Sequence, residues 1–208
     1  MTPPVLQDSQ FQAMHHWSDM KKHLMPCLMG RDWNAVNWND IPYLPFVGTM
    51  NMTFALRCGE NKAVQLTNYM AARWNQSVDT LRETAVKNIE TQGCVIKRLD
   101  TLLEYHALDD IPIYVISNPS MFLGAGVLCS EQLRIQAAQS FAHNMFILPA
   151  SIHEVLAVPA DTSVQARQLR EMVQAVNHSD RDFQRLSDEI YLLKKEDADF
   201  LAVDLDKK

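Results

Sequence analysis

The chain has 208 residues, 47% of them apolar and 21% charged, a balance that suits a folded globular protein and excludes a disordered one. That length is enough to bury a core in one or two domains. A formal net charge of −6, with no basic run longer than pairs such as Lys21–Lys22, excludes non-specific nucleic-acid binding, which needs clustered Lys and Arg against phosphate.

Residues 1–7 read as an unstructured lead. From Asp8 to Met25 the apolar residues Phe11, Met14, Trp17, Leu24 and Met25 make a loose helical stripe, which Pro26 is expected to stop. His15, His16 and His23 on this helix read as a solvated face, because no Asp/Glu set beside them completes a metal site. Arg31–Pro45, RDWNAVNWNDIPYLP, is a loop by composition, and its Trp33 and Trp38 imply that it packs on something. Phe46–Arg57 alternates as a strand, Gly59–Lys62 is a turn, and Ala63–Asn68 completes a hairpin.

Ser77 caps a helix with Val78, Leu81, Ala85 and Ile89 on one face, and Gly93 lies just past its end. Cys94–Leu99 reads as a short strand, and Leu102–His106 fits either type. Ile111–Ser117 is an apolar, β-branched run, expected as a central strand buried on both faces. Ser130 opens a further helix with Leu133, Ala137 and Phe141 inward. Met145–Leu148 and Val155–Val158 are strands. Thr162 and Gln165 form a capping box before a helix carrying Leu169, Met172, Val173 and Val176. Glu189–Leu193 is the last strand, followed by a frayed tail.

Interleaved strands, helices and hairpins place the fold in the α/β or α+β class: a mixed β-sheet with packed helices, plus an N-terminal helical arm. The expected division is an arm and loop over 1–40, a mixed domain over 41–195 and a tail over 196–208. Cys27, Cys58, Cys94 and Cys129 form no CxxC pair, which argues against zinc and for reduced thiols. MTPPVLQDSQF lacks the charged-then-apolar pattern of a signal peptide, and no apolar run reaches bilayer length. A cytoplasmic protein without membrane association, metal or cofactor is the expectation.

Ile147–Asp161, ILPASIHEVLAVPAD, is the segment that carries potential chemistry, with Ser151, His153 and Glu154 as candidate catalytic residues. In a strand, Ser151 and His153 share a face and Glu154 points away, so a joint pocket requires the backbone to turn. A serine–histidine pair also needs a carboxylate and an oxyanion hole from elsewhere. The competing reading is a structural histidine whose ring bonds backbone and fixes the bend after Pro149. Asn118-Pro119 followed by Gly124–Gly126 looks like a phosphate loop only superficially: it lacks both GxGxxG spacing and a P-loop lysine. Its glycines read as sites of close packing. Among eleven methionines, Met50 and Met52 fill the core or, if exposed, form a binding surface.

IYVISN, Gly124–Ala125, FILPASIHEVLAVPAD, LREMVQAVN and LSDEIYLL together resemble an uncharacterised bacterial family of clostridial, gut-associated Gram-positive bacteria, distantly related to YtpQ-type proteins. IPYLPFVGTMNMTFAL and LTNYMAARWNQSVDTLRETAVKN extend the likeness over roughly Ile41–Leu193. Members of that family usually carry an additional N-terminal region, where this chain has a short helical arm. The resemblance implies no activity; it singles out Asn118 and Asn177, beside His153 and Glu154, as candidate ligand-binding positions in the matching segments.

Two functions follow. The first is a non-enzymatic cytoplasmic domain that binds a partner protein or regulates one, in a mobile-element or phage setting; homodimerisation through the N-terminal helix is a variant of it. The second is a hydrolase or small-ligand site around Ser151, His153 and Glu154, completed by Asn118 or Asn177. Without a complete catalytic motif, the reading leans away from an enzyme.

Overall fold

The computed structural model describes residues 16–33, 36–101, 111–161, 165–179 and 186–205. The lead, the helical stripe before His16, Leu102–His106 and Thr162 of the capping box lie outside the described residues, as does the Val176 side chain.

The chain enters through a short helix, α1 (Trp17–Met20), and a 3-10 turn (Lys21–His23). It then becomes a strand, β1 (Leu24–Gly30), where the sequence pattern had placed the end of a helix stopped by Pro26. LMPCLMG is apolar throughout and buried throughout, which suits a strand covered on both faces. Pro26 is tolerated because β1 lies at the edge of its sheet, where a missing N–H need not break a ladder.

The first sheet is completed by β2 (Tyr43–Pro45), β3 (Met50–Gly59) and β4 (Lys62–Gln65). β1, β2 and β4 each pair antiparallel with β3, and the β3–β4 hairpin turns over Glu60–Asn61 with a register shift between Arg57 and Gly59. Met50 and Met52 are buried, as core filling requires, and Trp33 and Trp38 pack against the same core from the loop.

Helix α2 (Asn68–Arg73) is capped by Thr67, and α3 (Val78–Gln92) by Ser77, whose side chain accepts from the Thr80 amide. Such a cap contributes roughly 1 kcal/mol. Gly93, at φ 85°, ends α3 in a conformation that costs glycine little. Leu81, Ala85 and Ile89 are fully buried, and Asn88 donates to the carbonyls of Lys21 and Leu24, both at 2.7 Å, fastening α3 to the entry of β1.

The second sheet holds β5 (Val95–Arg98), β6 (Tyr114–Ser117), β7 (Met145–Pro149), β8 (Val155–Pro159), β9 (Tyr191–Leu193) and β10 (Phe200–Ala202) in the order β10-β9-β7-β8-β6-β5. Every described pair in it is antiparallel, so the class is α+β. β6 is an interior strand, as its apolar run required, although Ile111 and Ile113 precede it. β10 lies in the stretch expected to be a frayed tail. Phe200 anchors it, buried and stacked on Tyr191 with ring centres 5.1 Å apart.

A 3-10 helix (Gly124–Cys129) leads into α4 (Glu131–Gln139), capped by Ser130, and α5 (Ala166–Ser179) follows β8. Strand alternation sends successive residues to opposite faces. Ile147 and Ala157 join Leu28, Phe54, Leu81 and Tyr191 in one large core shared by both sheets. Leu148 and Val158 face the other way and meet Leu169 and Val173 of α5 in a second, smaller cluster with Ile190.

A polar clasp also ties the sheets together. The Thr49 amide donates to Glu189 Oε2 at 3.0 Å, Thr49 Oγ1 and Ser187 Oγ are 2.8 Å apart, and the Tyr191 hydroxyl donates to Ser187 Oγ at 2.8 Å. Gly48, at φ 60°, makes room for it: a Cβ there would run into Glu189 Oε2 and the Tyr191 hydroxyl. Burial pushes the Tyr191 phenol up to about 12. Among the described residues, no helix is long and apolar enough to cross a membrane.

Candidate functional site

Pro149 pairs with Val155, so Ala150–Glu154 is the five-residue connection of the β7–β8 hairpin, and the backbone does turn at the candidate residues. The Ser151 amide donates to the Glu154 carbonyl at 3.1 Å, closing the turn. The Ser151 hydroxyl donates to Glu154 Oε1 at 2.7 Å and accepts from the His153 amide at 3.0 Å. Serine therefore pairs with the glutamate three residues on. Its hydroxyl makes no bond to the imidazole with which strand alternation would have aligned it. Short local bonds of this kind are what Ser side chains offer a turn.

His153 faces the segment that follows β6. Its Nδ1 accepts from the Leu123 amide at 3.1 Å, its carbonyl accepts from Ser117 Oγ at 2.7 Å, and its ring stacks on Phe122 with centres 5.1 Å apart at 28°. The Arg57 guanidinium lies 5.8 Å from the centre of the same Phe122 ring and donates to Ser120 Oγ at 3.2 Å. Gly124 permits this approach, since a Cβ there would run into Ser117 Oγ, the His153 carbonyl and the Asn118 amide. The GAG glycines thus serve close packing, Gly126 doing so against the Pro26 carbonyl.

Asn118 organises the same segment from within. It is fully buried, donates to Gln92 Oε1 at 3.0 Å and to the Phe122 carbonyl at 2.9 Å, and accepts from Ser120 Oγ at 3.0 Å and the Phe122 amide at 3.3 Å. Those four bonds exhaust the capacity of its amide. They hold a loop in which Met121 and Leu123 adopt left-handed backbone conformations, at φ 52° and 55°. Each costs a non-glycine residue roughly 1–2 kcal/mol, which the network offsets. His153 and Asn118 therefore grip one loop from two sides.

Asn177 stands apart, on α5. Its amide nitrogen donates to the Ser187 carbonyl at 3.3 Å and to Asp188 Oδ1 at 2.6 Å. It lines a cavity of about 230 Å³ between α5 and the outer face of the second sheet. Leu148, Leu156 and Val158 of the sheet, Ile111 and Ile113 ahead of β6, and Leu169 of α5 supply much of its wall. Pro149 and Ala150 bring its rim to the hairpin turn. Met172, half exposed, stands on the helix side.

Nothing in the local pattern of these aliphatic residues distinguishes a cavity wall from ordinary core. The available signal was that β7 and β8 are apolar on both faces, which calls for a second covering layer, and among the described residues α5 contributes to it together with Ile111 and Ile113. Of the four thiols, all free, Cys27 is pushed up to about 12 and Cys94 to about 11 by burial, and Cys129 is also raised by burial; Cys58 is exposed. His16 and His23 are exposed on the entry turn.

No curated protein and no solved structure matches this chain. A family model described as a family of unknown function, DUF5688, matches residues 5–195. With nearly the whole chain covered, including both sheets up to β9, the His153 turn and the α5 cavity, the protein belongs to the DUF5688 family of unknown function.

Proposed function

We propose that this protein is a non-enzymatic binding domain, that its partner is a protein, and that the cavity beside α5 receives an apolar side chain of that partner. The observation that carries the reading is the cavity itself: about 230 Å³, walled by aliphatic side chains, with Asn177 as its single polar residue among the described ones and a half-exposed methionine at its edge. Concave apolar sites with few polar groups are where ligands and partner anchors gather, and methionine makes adaptable contact surfaces. Four free thiols support a reducing compartment such as the cytoplasm. The clostridial and YtpQ-type kinship and the mobile-element or phage setting belong to the same proposal, on the sequence segments that suggested them.

The hydrolase alternative draws little support from the turn. A serine nucleophile needs a base within hydrogen-bond reach, and the Ser151 hydroxyl is committed to Glu154 while His153 Nδ1 is committed to Leu123. A small-ligand site at Asn118 meets an amide with no capacity left.

The test places a photo-crosslinking benzophenone at Met172 in the protein's own host and compares adducts with and without Leu156→Trp, which fills the cavity. A discrete protein adduct that the filled cavity removes supports the reading. No adduct, or a pattern indifferent to Leu156→Trp, overturns it, and turnover of ester or amide substrates abolished by Ser151→Ala would reinstate the hydrolase.

A further inference from the structure

A second cavity, of about 220 Å³, lies where three segments meet: Phe46 and Val47 ahead of β3, Glu131 and Arg134 of α4, and the β9–β10 turn with the start of β10. Unlike the cavity beside α5, it combines apolar surface with charge of both signs. Phe46 and the buried Phe200 supply the apolar part, their ring centres 6.0 Å apart.

The charges divide into two kinds. Asp197 and Asp199 of the turn are already engaged: Lys194 Nζ lies 3.2 Å from Asp199 Oδ2 and 3.9 Å from Asp197 Oδ2, and Asp197 Oδ1 accepts from the Asp199 amide at 3.0 Å. Glu131 and Arg134 are not so engaged. Opposite charges three residues apart on a helix are neighbours that ordinarily attract each other. Here the ion pairs among the described residues all join other side chains.

Arg134 instead donates from Nη1 to the Leu128 carbonyl at 2.7 Å, and its Nε is buried with no partner among the described residues. The Nε–Nη2 edge is therefore the unused side of the guanidinium. That edge can grip a carboxylate through two parallel bonds. A buried donor left unsatisfied is costly, so an acceptor supplied to it counts for more than one offered to a solvated group. A simple carboxylic acid would meet Arg134 but bring its negative charge beside Glu131, and a simple amine would leave Arg134 unmatched. Residues three apart on a helix set their Cβ atoms about 5–6 Å apart, a span that the ammonium and carboxylate of one α-carbon can serve together.

We infer that this cavity binds a free α-amino acid with an apolar side chain. Its carboxylate lies on the Nε–Nη2 edge of Arg134, its ammonium on Glu131, and its side chain against Phe46 and Phe200. The site is separate from the cavity beside α5 and does not depend on the partner proposed there.

The probe is L-phenylalanine, titrated into the full chain and followed by amide shifts in NMR. An apolar cavity of about 150 Å³ holds benzene, so a benzyl group is within the size of this one. Two analogues each lack one charge: N-acetyl-L-phenylalanine has no ammonium, and L-phenylalaninamide has no carboxylate. The expected result is saturable shifts at Phe46, Val47, α4 and β10, with phenylalanine bound at least about ten-fold tighter than either analogue, the ratio that one charge-assisted bond gives. Arg134→Met would also lose the bond to Leu128, so the deciding variant is at Glu131, which is exposed. Glu131→Gln should lower phenylalanine to the level of N-acetyl-L-phenylalanine and leave that analogue no weaker than before.

Absence of saturable shifts, or shifts confined to α5, overturns the inference. Equal affinity for phenylalanine and N-acetyl-L-phenylalanine overturns it too, because the ligand would then be the carboxylate end of a peptide. A preference for phenylalanine that survives Glu131→Gln does the same, since the ammonium would then be held elsewhere.

Discussion

The backbone amide of Leu123 donates to Nδ1 of His153 at 3.1 Å, which ties the imidazole to a loop residue thirty positions earlier in the chain. A nitrogen that accepts from an N–H cannot at the same time donate, so Nδ1 acts here as an acceptor for backbone. The ring supports a left-handed Leu123 instead of activating a serine.

His153→Leu keeps apolar bulk beside Phe122 but removes the acceptor, leaving the Leu123 amide without a partner. Unfolding in urea should show a loss of about 1–3 kcal/mol. Ser151→Ala removes two bonds within the partly exposed turn, to Glu154 Oε1 and from the His153 amide, and should cost about 1 kcal/mol or less. Equal losses for the two variants would contradict the assignment.

Gly124→Ala places a methyl group against Ser117 Oγ, the His153 carbonyl and the Asn118 amide, two of them backbone groups that cannot swing aside. A loss of about 3 kcal/mol is expected from this overpacking. At Gly93 nothing lies within reach of an added Cβ, and the cost of Gly93→Ala comes only from its φ of 85°. Thermal melting of the two variants should rank Gly124→Ala clearly lower.

Tyr191→Phe deletes the hydroxyl that lies 2.8 Å from Ser187 Oγ and 3.0 Å from Glu189 Oε2 and shares its one hydrogen between them. The clasp between the sheets then loses its buried donor, and stability should fall by roughly 1–2 kcal/mol. Hydrogen exchange gives a sharper check: protection should drop at Thr49 and Glu189, whose amides the clasp holds, and stay unchanged in α3.

Alkali should unfold the protein through its thiols. Cys27 and Cys94 have ordinary thiol values near 9 when unfolded and are raised to about 12 and about 11 when folded, chiefly by burial. Between those limits the unfolded chain releases protons that the folded chain keeps. The stabilisation is therefore complete below about pH 9 and is lost as pH climbs through 11 to 12. Tyr191, raised to about 12 in the fold, adds to the loss above pH 10. In native protein at pH 8, a thiol reagent should label Cys58 first and leave the buried Cys27 unlabelled until denaturant is added. Fast labelling of Cys27 would contradict its burial.

Much of the fold was legible where the cause is local. Ser77 and Ser130 cap the helices they were expected to open, Gly93 ends α3, and the Gly59–Lys62 turn joins the expected hairpin. The errors came where neighbours far along the chain decide. Leu24–Gly30 has the apolar content of either a helix end or a buried strand, and only pairing with β3 selects the strand. Phe200 lies in a charged tail, and only its stacking on Tyr191 turns that tail into β10.

The candidate site divides along the same line. By itself the sequence determined that Ser151, His153 and Glu154 lie at a break between two apolar strands, because alternation and turn chemistry are written into adjacent residues. Tertiary structure alone decided that the imidazole serves Leu123, thirty residues earlier in the chain. It alone also set α5 beside the outer face of β7 and β8 so as to leave a cavity around Asn177. Hydrogen-bond partners and packing gaps arise between segments distant in sequence, and no local pattern encodes them.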